Sequence, residues 1–413
     1  YQIKSGKKNK RIIFNEVNQG LNFDLSKDRR KFIIEDAYNN TIEHIENIMK
    51  YEDTLTASSK GPWIVIGLMS GTSLDGLDVA VCEFIAGDDS SEWRGQITRF
   101  ECFEYPTKLA SRLRGSMGLT SEKLFQLDRD WARFSAKCVN TLNIKAHLLS
   151  SHGHTVFHNP SDGYTVQIGS GADLAALTSL PVVCDLRRLD VAYGGQGAPL
   201  VPKADSVLFS QYSACLNLGG FANISHLNSK NTRAWDIGVC NNLLNMLASE
   251  EGFAYDDCGK IASSGKVIPA LLTDLMSLQY HHLPPPKSLG MEWVNAEVLP
   301  VLNTYKHMSL EDRMCTSVEY IALTIINSCE SPGEILVTGG GVLNTYLMSR
   351  LYALSRSHPF KFVTPDLNMI HGKEAYAFAF LGLLRFFNKP NTLQSVTGAF
   401  ISSSSGAVWI PNR

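Results

Sequence analysis

The chain has 413 residues, 44% apolar and 19% charged, with a formal net charge of −2, so it exceeds one hydrophobic core and suggests two domains of roughly 150–200 residues. Near-neutral charge argues against a nucleic-acid partner, and no apolar run reaches the roughly 18 residues of a membrane span. The nine cysteines are scattered without a CxxC pair and no signal peptide is recognisable, which fits a reducing, cytoplasmic setting.

Residues 1–60 differ from the rest. Lys7, Lys8, Lys10 and Arg11 form one basic patch, and Arg29, Arg30 and Lys31 another. Ile34, Ala37, Tyr38, Ile42, Ile45, Ile48 and Met49 recur at helical spacing, which predicts one amphipathic helix. A helix packed on the main body is favoured over a docking arm. Residues 56–62 read as a linker.

Ile64–Phe84 reads strand, polar turn, strand. Gly71 and Gly76 allow close backbone approach to a ligand. Ser70, Thr72 and Ser73 offer hydroxyls, and successive N–H groups in such a turn can converge on an anion. Asp75 and Asp78 can sit near phosphates only with a cation between, which suggests a nucleotide with Mg2+. An ordinary Gly/Ser turn is the competing reading. No Walker loop is present.

Beyond it the chain reads α/β. Ser121–Asn140 is a predicted helix, and 146–151 a short strand that ends in Ser-His-Gly-His-Thr. Polar residues at strand ends are where α/β sheets place ligands, so His152, His154 and His158 are candidates. They lack zinc spacing. Gln167 follows a β-rich run. Pro181–Cys184 is another strand, with Asp185, Arg187, Arg188 and Asp190 at its end and a glycine loop from Gly194 through Gln196 to Pro202. An arginine there can clamp a carboxylate or phosphate.

Cys215–Ser225 repeats the strand, Gly/Asn turn, strand pattern about 150 residues later, which suggests duplication with a ligand cleft between halves. Ala234–Gly238 precedes a Leu243–Leu247 helix, with Asn241 as its expected N-cap. Gly339, Gly340 and Gly341 end a strand, where adenine or phosphate can lie on bare backbone. Lys373 and Glu374 are read as opening a helix over 375–386.

Eleven segments together match a known pattern. They are GLMSGTSLDGLD (67–78), SHGHT (151–155), QIG (167–169), DLRRLDVAYGGQGAPLVP (185–202), NLGGFANIS (217–225), the stretch around Asp236, YDDCGKIASSGKV (255–267), PPKSLG (285–290), TGGGVLN (338–344), KEAYAFAFLG (373–382) and SVTGA (395–399). The chain resembles the anhydro-N-acetylmuramic acid kinase family of the actin, hexokinase and Hsp70 superfamily. The resemblance covers roughly 63–400 and leaves 1–60 out.

It implies an α/β, actin-like (ribonuclease H-like) duplicated two-domain fold with an interdomain nucleotide cleft, its halves at 61–205 and 206–413. It implies that water opens a 1,6-anhydro bridge while ATP phosphorylates O6, giving N-acetylmuramic acid 6-phosphate in cell-wall recycling. ATP and Mg2+ are the implied cofactors and a small anhydrosugar the implied partner, with a homodimer as an allowed assembly. The implied nucleotide contacts are Gly71, Thr72, Ser73, Leu74, Asp75, Gly76, Leu77 and Asp78. Further contacts are Gly219, Gly220, Asn223, Gly339, Gly340, Gly341 and Asn344. The implied sugar contacts are His152, His154, Gln167, Asp185, Arg187, Asp190 and Gln196. Asp236 matches the family's general base, Glu374 is the second catalytic candidate, and Asp75 with Glu374 would hold the metal. The family's Gly-Pro-Gly-Asn stands here as Gly238-Val-Cys-Asn241, an Asp commonly found later is Asn245, and the usual Gln is His154. The alternatives are a kinase for another anhydrosugar such as levoglucosan, or a nucleotide-binding regulatory protein without turnover.

Overall fold

The computed structural model describes residues 61–71, 74–87, 92–227, 232–285 and 287–411. The basic patches and helix expected in 1–60 lie outside the described residues, as do Thr72 and Ser73.

Trp63-Ile-Val-Ile favours a strand because β-branched and aromatic side chains suit a pleated surface. It opens β1 (Trp63–Ser70), which pairs antiparallel with β2 (Leu77–Ala86), and β2 pairs with β3 (Trp93–Phe103). β4 (Leu148–Asn159) joins β1 in parallel, β5 (Tyr164–Ile168) hairpins onto β4, and β6 (Val182–Cys184) extends the sheet in parallel. The order through β1 to β6 is β6-β4-β1-β2-β3.

The second sheet repeats it. β7 (Ala214–Leu218), β8 (Phe221–His226) and β9 (Arg233–Val239) form the antiparallel meander. β10 (Gly333–Thr338) and β11 (Phe360–Val363) add in parallel, giving β11-β10-β7-β8-β9. The same order twice is the duplicated, ribonuclease H-like, actin-like fold expected from the sequence.

β1 is apolar on both faces because helices cover both sides of its sheet. Ile66 and Leu68 pack toward Trp131 and Leu127 of the Ser121–Thr141 helix. Gly67 faces the Leu367–Phe386 helix, where a Cβ would lie 2.0 Å from the Ala375 carbonyl oxygen. Glycine lets that helix sit directly on the strand. Phe84 of β2 then stacks on Tyr376, with ring centroids 5.3 Å apart. In the second half the Leu310–Ser328 helix buries Met314, Val318, Ile321 and Ile325 at 3–4 residue spacing against its own sheet. Ser309 caps it, accepting the Asp312 N–H.

Four expectations change. β4 does not stop at Ser151 but runs through His158, since its second half is paired by β5 rather than by an apolar pattern. Lys373 and Glu374 lie inside the Leu367–Phe386 helix, which starts at an Asp366 cap accepting the Met369 N–H. The Asn241–Ser249 helix takes Cys240 as its N-cap, and Asn241 instead donates to the Leu218 carbonyl. The chain beyond about 367, expected in the second half, returns to the first. The Leu367–Phe386 helix packs on β1, β2 and β4, and β12 (Ala407–Trp409) pairs with β6.

Candidate active site

A cavity of about 780 Å3 opens between the two sheets, within the size range of small-molecule sites. Arg187 and Gln196 line it from the first half, and Asn223 and Asp236 from the second. Asp205, Lys373 and Glu374 line it from the two helices at the chain crossings.

Asp236 lies inside β9, opposite Asn223 of β8, beside a register shift in that ladder. Its Oδ2 accepts the Leu289 N–H at 3.0 Å, its own N–H donates to the Lys287 carbonyl at 3.1 Å, and its carbonyl accepts the Tyr280 hydroxyl at 2.7 Å. The 280–289 segment thus fixes the residue on three sides. Burial raises the carboxyl above its ordinary value, and the Leu289 bond only partly offsets this. The neighbouring Trp235 stacks on His226 at 4.9 Å and belongs to the core of the second half.

Arg187 is held in a fixed pose. Its Nε donates to His152 Nε2 at 2.9 Å and Nη1 to the Gly197 carbonyl at 2.7 Å. Burial pushes its pKa down to about 10, while Glu374 and Asp190 support the charge. His152 is kept neutral by burial and by Arg187. Its Nε2 therefore accepts, and Nδ1 carries the proton donated to the Gly153 carbonyl.

Glu374 is exposed on the cavity wall, and desolvation by the protein around it raises its carboxyl, with Arg187 and Lys373 opposing and Asp205 adding. Beside it, Lys373 Nζ stands 3.1 and 3.2 Å from the two Asp205 oxygens, both side chains nearly sealed from water. Burial works against the Lys373 charge, but Asp205 leads the groups that hold its proton, so its pKa stands above the ordinary value. In β2, Asp78 is pushed up to about 6 by desolvation, with a Cys102 hydrogen bond opposing and Glu374 and Asp75 adding repulsion. Asp78 thus carries like-charge repulsion from both Asp75 and Glu374. Among the described residues no group of three or more His, Cys, Asp or Glu is arranged to hold a metal by itself.

The model of the anhydro-N-acetylmuramic acid kinase family matches residues 63–411. The chain belongs to that family. It is therefore a kinase, a phosphotransferase. The anhydro-N-acetylmuramic acid kinase of Pasteurella multocida is 36% identical over 83% of this chain and 96% of its own length. That of Pseudomonas syringae pv. syringae is 38% identical over 83% and 98%. An ROK family glucokinase from Streptomyces griseus, solved with glucose and AMPPNP, is only loosely similar, with a TM-score of 0.34 at 13% identity over 76% of this chain and 97% of its own. No helix among the described residues is long and apolar enough to cross a membrane.

Of the residues the family pattern nominates, Arg187, Gln196, Asn223, Asp236 and Glu374 line the cavity. The other described ones sit elsewhere. Gly71 follows the last residue of β1, and Leu74 takes a left-handed φ of 60° in the hairpin turn, beside exposed Asp75. Gly76 and Leu77 are packed, Gly76 against Cys102 and Phe103. The Gly219 and Gly220 carbonyls accept the N–H groups of Cys240, Asn241 and Asn242, tying the second hairpin to a helix start. A Cβ at Gly339 or Gly341 would meet Asn217 or Leu218, whereas Gly340 faces open space. Asn344 caps the Thr345–Ser355 helix through the Leu347 N–H.

On the sugar side, Asp190 is fully buried and occupied by the Gly197 N–H and the Thr397 hydroxyl, both at 2.8 Å. It holds the glycine loop in place. Asp185 pairs with Arg188 at 3.5 Å and keeps Oδ1 buried without a partner. His154 bonds Ser70 at 2.9 Å, behind the first hairpin, and Gln167 donates to Thr165. Sequence reading did not single out Asp205 or Lys287 as site residues, and it placed Lys373 at a helix start. Lys287 and Lys373 lie in quoted motifs, but nothing local marks Asp205.

Proposed function

We propose that the chain is an ATP-dependent kinase that opens the 1,6-anhydro bridge of 1,6-anhydro-N-acetylmuramic acid and phosphorylates O6. The observation that carries this is the meeting of Asp236, Glu374 and Arg187 on one cavity between two duplicated halves. Asp236 takes a proton from water as that water bonds to the anomeric carbon. The C1–O6 bond breaks, O6 bonds to the γ-phosphorus of ATP, and the bond to the β-phosphate oxygen breaks to release ADP. A carboxylate raised by burial is a better base than a solvated one.

ATP is expected between the first hairpin (71–78), the second hairpin (219–223) and the 339–341 turn. Mg2+, held by Asp75 and Glu374 beside the phosphates, would neutralise charge on the transferring group. Arg187, fixed by His152 and Gly197, is suited to orient the sugar or the departing phosphoryl oxygens. The halves are assigned as 61–205 and 206–366, with the returning tail on the first; a homodimer is compatible with this reading.

The test is coupled ADP release with 1,6-anhydro-N-acetylmuramic acid and, separately, levoglucosan. ADP release with the amino sugar and far less with levoglucosan is expected. No release with either refutes the reading.

A further inference from the structure

Among the described residues, three Lys or Arg side chains line the cavity: Arg187, Lys287 and Lys373. Lys373 is neutralised by Asp205 at 3.1 Å. Arg187 spends its Nε and Nη1 on His152 and Gly197, and its charge is supported by Glu374 and Asp190. Lys287 differs. It is half-buried, its Nζ donates to the Tyr280 carbonyl at 2.9 Å and lies 4.5 Å from the Tyr280 ring centroid. No carboxylate among the described residues comes within ion-pair distance of it. An ammonium drawn from water onto a cavity wall without a counter-charge is costly unless an anion arrives with the ligand.

Its position says which part of the ligand that is. The Lys287 carbonyl accepts the Asp236 N–H, and Leu289, two residues on, donates to the Asp236 carboxylate. The Lys287 ammonium bonds the carbonyl of Tyr280, whose hydroxyl bonds the Asp236 carbonyl, and Lys287 and Asp236 line the same cavity, so what meets Lys287 lies on the same wall as the proposed base, which works at the anomeric carbon. The substituents of one pyranose ring all lie within a ring's width of that carbon. A muramic sugar carries one anionic substituent, the carboxylate of its lactyl ether.

We propose that Lys287 receives that lactyl carboxylate and so selects an acidic anhydrosugar over a neutral one. This rests on the function proposed above. Lys287 is a specificity residue in this role. It takes no part in bond making, and its two remaining ammonium protons supply the charge-assisted bonds.

The test compares 1,6-anhydro-N-acetylmuramic acid with 1,6-anhydro-N-acetylglucosamine, which has the same ring, bridge and acetamido group but a hydroxyl in place of the lactyl ether. Affinity is read by calorimetry, and kcat and KM by ADP release, for wild type, Lys287→Met and Lys287→Arg. The wild type should prefer the acid. Lys287→Met should raise the KM for the acid about 10- to 100-fold, the range for a lost hydrogen bond to a charged group. That would remove most of the preference. Lys287→Arg should restore much of it, which a purely structural lysine would not. Equal losses with both sugars would overturn the proposal and make Lys287 a brace for the 280–289 segment. A rise confined to the KM for ATP would overturn it too and assign Lys287 to the phosphates. A wild type that turns over neither sugar would instead remove the proposed function on which this rests.

Discussion

Asp236→Asn separates a base from a brace. The asparagine side-chain oxygen can still accept the Leu289 N–H that now reaches Oδ2 at 3.0 Å, and the two backbone bonds of residue 236 do not depend on the side chain. The change removes proton-accepting capacity and little else. Loss of a general base costs about 10²–10⁴-fold in rate, roughly 3–5 kcal/mol of barrier. Stability should move the other way. Burial raises the Asp236 carboxyl above its unfolded value, so its favourable share is full below the unfolded pKa of about 3.9. That share is lost as pH rises through the folded value. At pH 7.5 the wild type carries the cost of an ionised, poorly solvated carboxylate and the variant does not. The melting temperature of Asp236→Asn should equal or exceed that of the wild type, while kcat for ADP release collapses. The acid limb of the wild-type kcat profile, set by the same raised carboxyl, should disappear with it. Asp236→Ala strands the Leu289 donor and should cost about 1–3 kcal/mol of stability as well. Turnover of Asp236→Asn within tenfold of wild type, or a melting temperature several degrees lower, would refute the reasoning.

Lys373→Met leaves Asp205 charged in a nearly sealed site and should cost about 3–5 kcal/mol, with most recovered in Lys373→Met/Asp205→Leu; denaturant melts of wild type and the two variants check this. Gly340→Val should weaken ATP binding by calorimetry without lowering the melting temperature, because a Cβ there meets open space, whereas Gly67→Ala should unfold the protein or cut its soluble yield, because its Cβ would meet the Ala375 carbonyl oxygen at 2.0 Å. Arg187→Ala should raise the sugar KM far more than the ATP KM; equal rises would make it a scaffold for His152 and Gly197 alone.

The duplicated order of the two sheets was readable because each meander carries its own glycine turn between β-branched runs. Asp236, the proposed base, was readable as a candidate because it keeps a motif position, and it lines the cavity. The rest was harder for specific reasons. Asp190, Asn344 and the Gly219–Gly220 turn have the residue types that ligands need, and so do tight loops. Here Asp190 satisfies the Gly197 N–H, Asn344 caps a helix, and the two glycine carbonyls satisfy a helix start. Residue type alone does not separate a donor kept for a ligand from one used up by the backbone. The return of the tail to the first sheet is made by the Leu367–Phe386 helix, buried on nearly every side so that its pattern does not say which sheet it covers, and by β12, three residues long, too short for any period to show.

The Asp205–Lys373 pair spans 168 residues, and no local pattern announces it. Its place explains why the fold keeps it. The chain leaves the first half through the Val201–Leu208 helix and returns through the Leu367–Phe386 helix. Each of these helices supplies one member of the pair. Successive helical residues point about 100° apart, so with Lys373 directed at Asp205, Glu374 is turned into the cavity. Glycine at 67 and at 382 lets the same helix lie flat on β1 and β4, where the Ser150 hydroxyl donates to the Phe378 carbonyl at 2.6 Å. Depth is set by the glycines and rotation by the ion pair, and together they hold one carboxylate facing Arg187 and the first hairpin. A salt bridge of this kind adds little net stability. Its effect is positional: it keeps Glu374 where the proposed metal and the transferring phosphate would need an acidic oxygen.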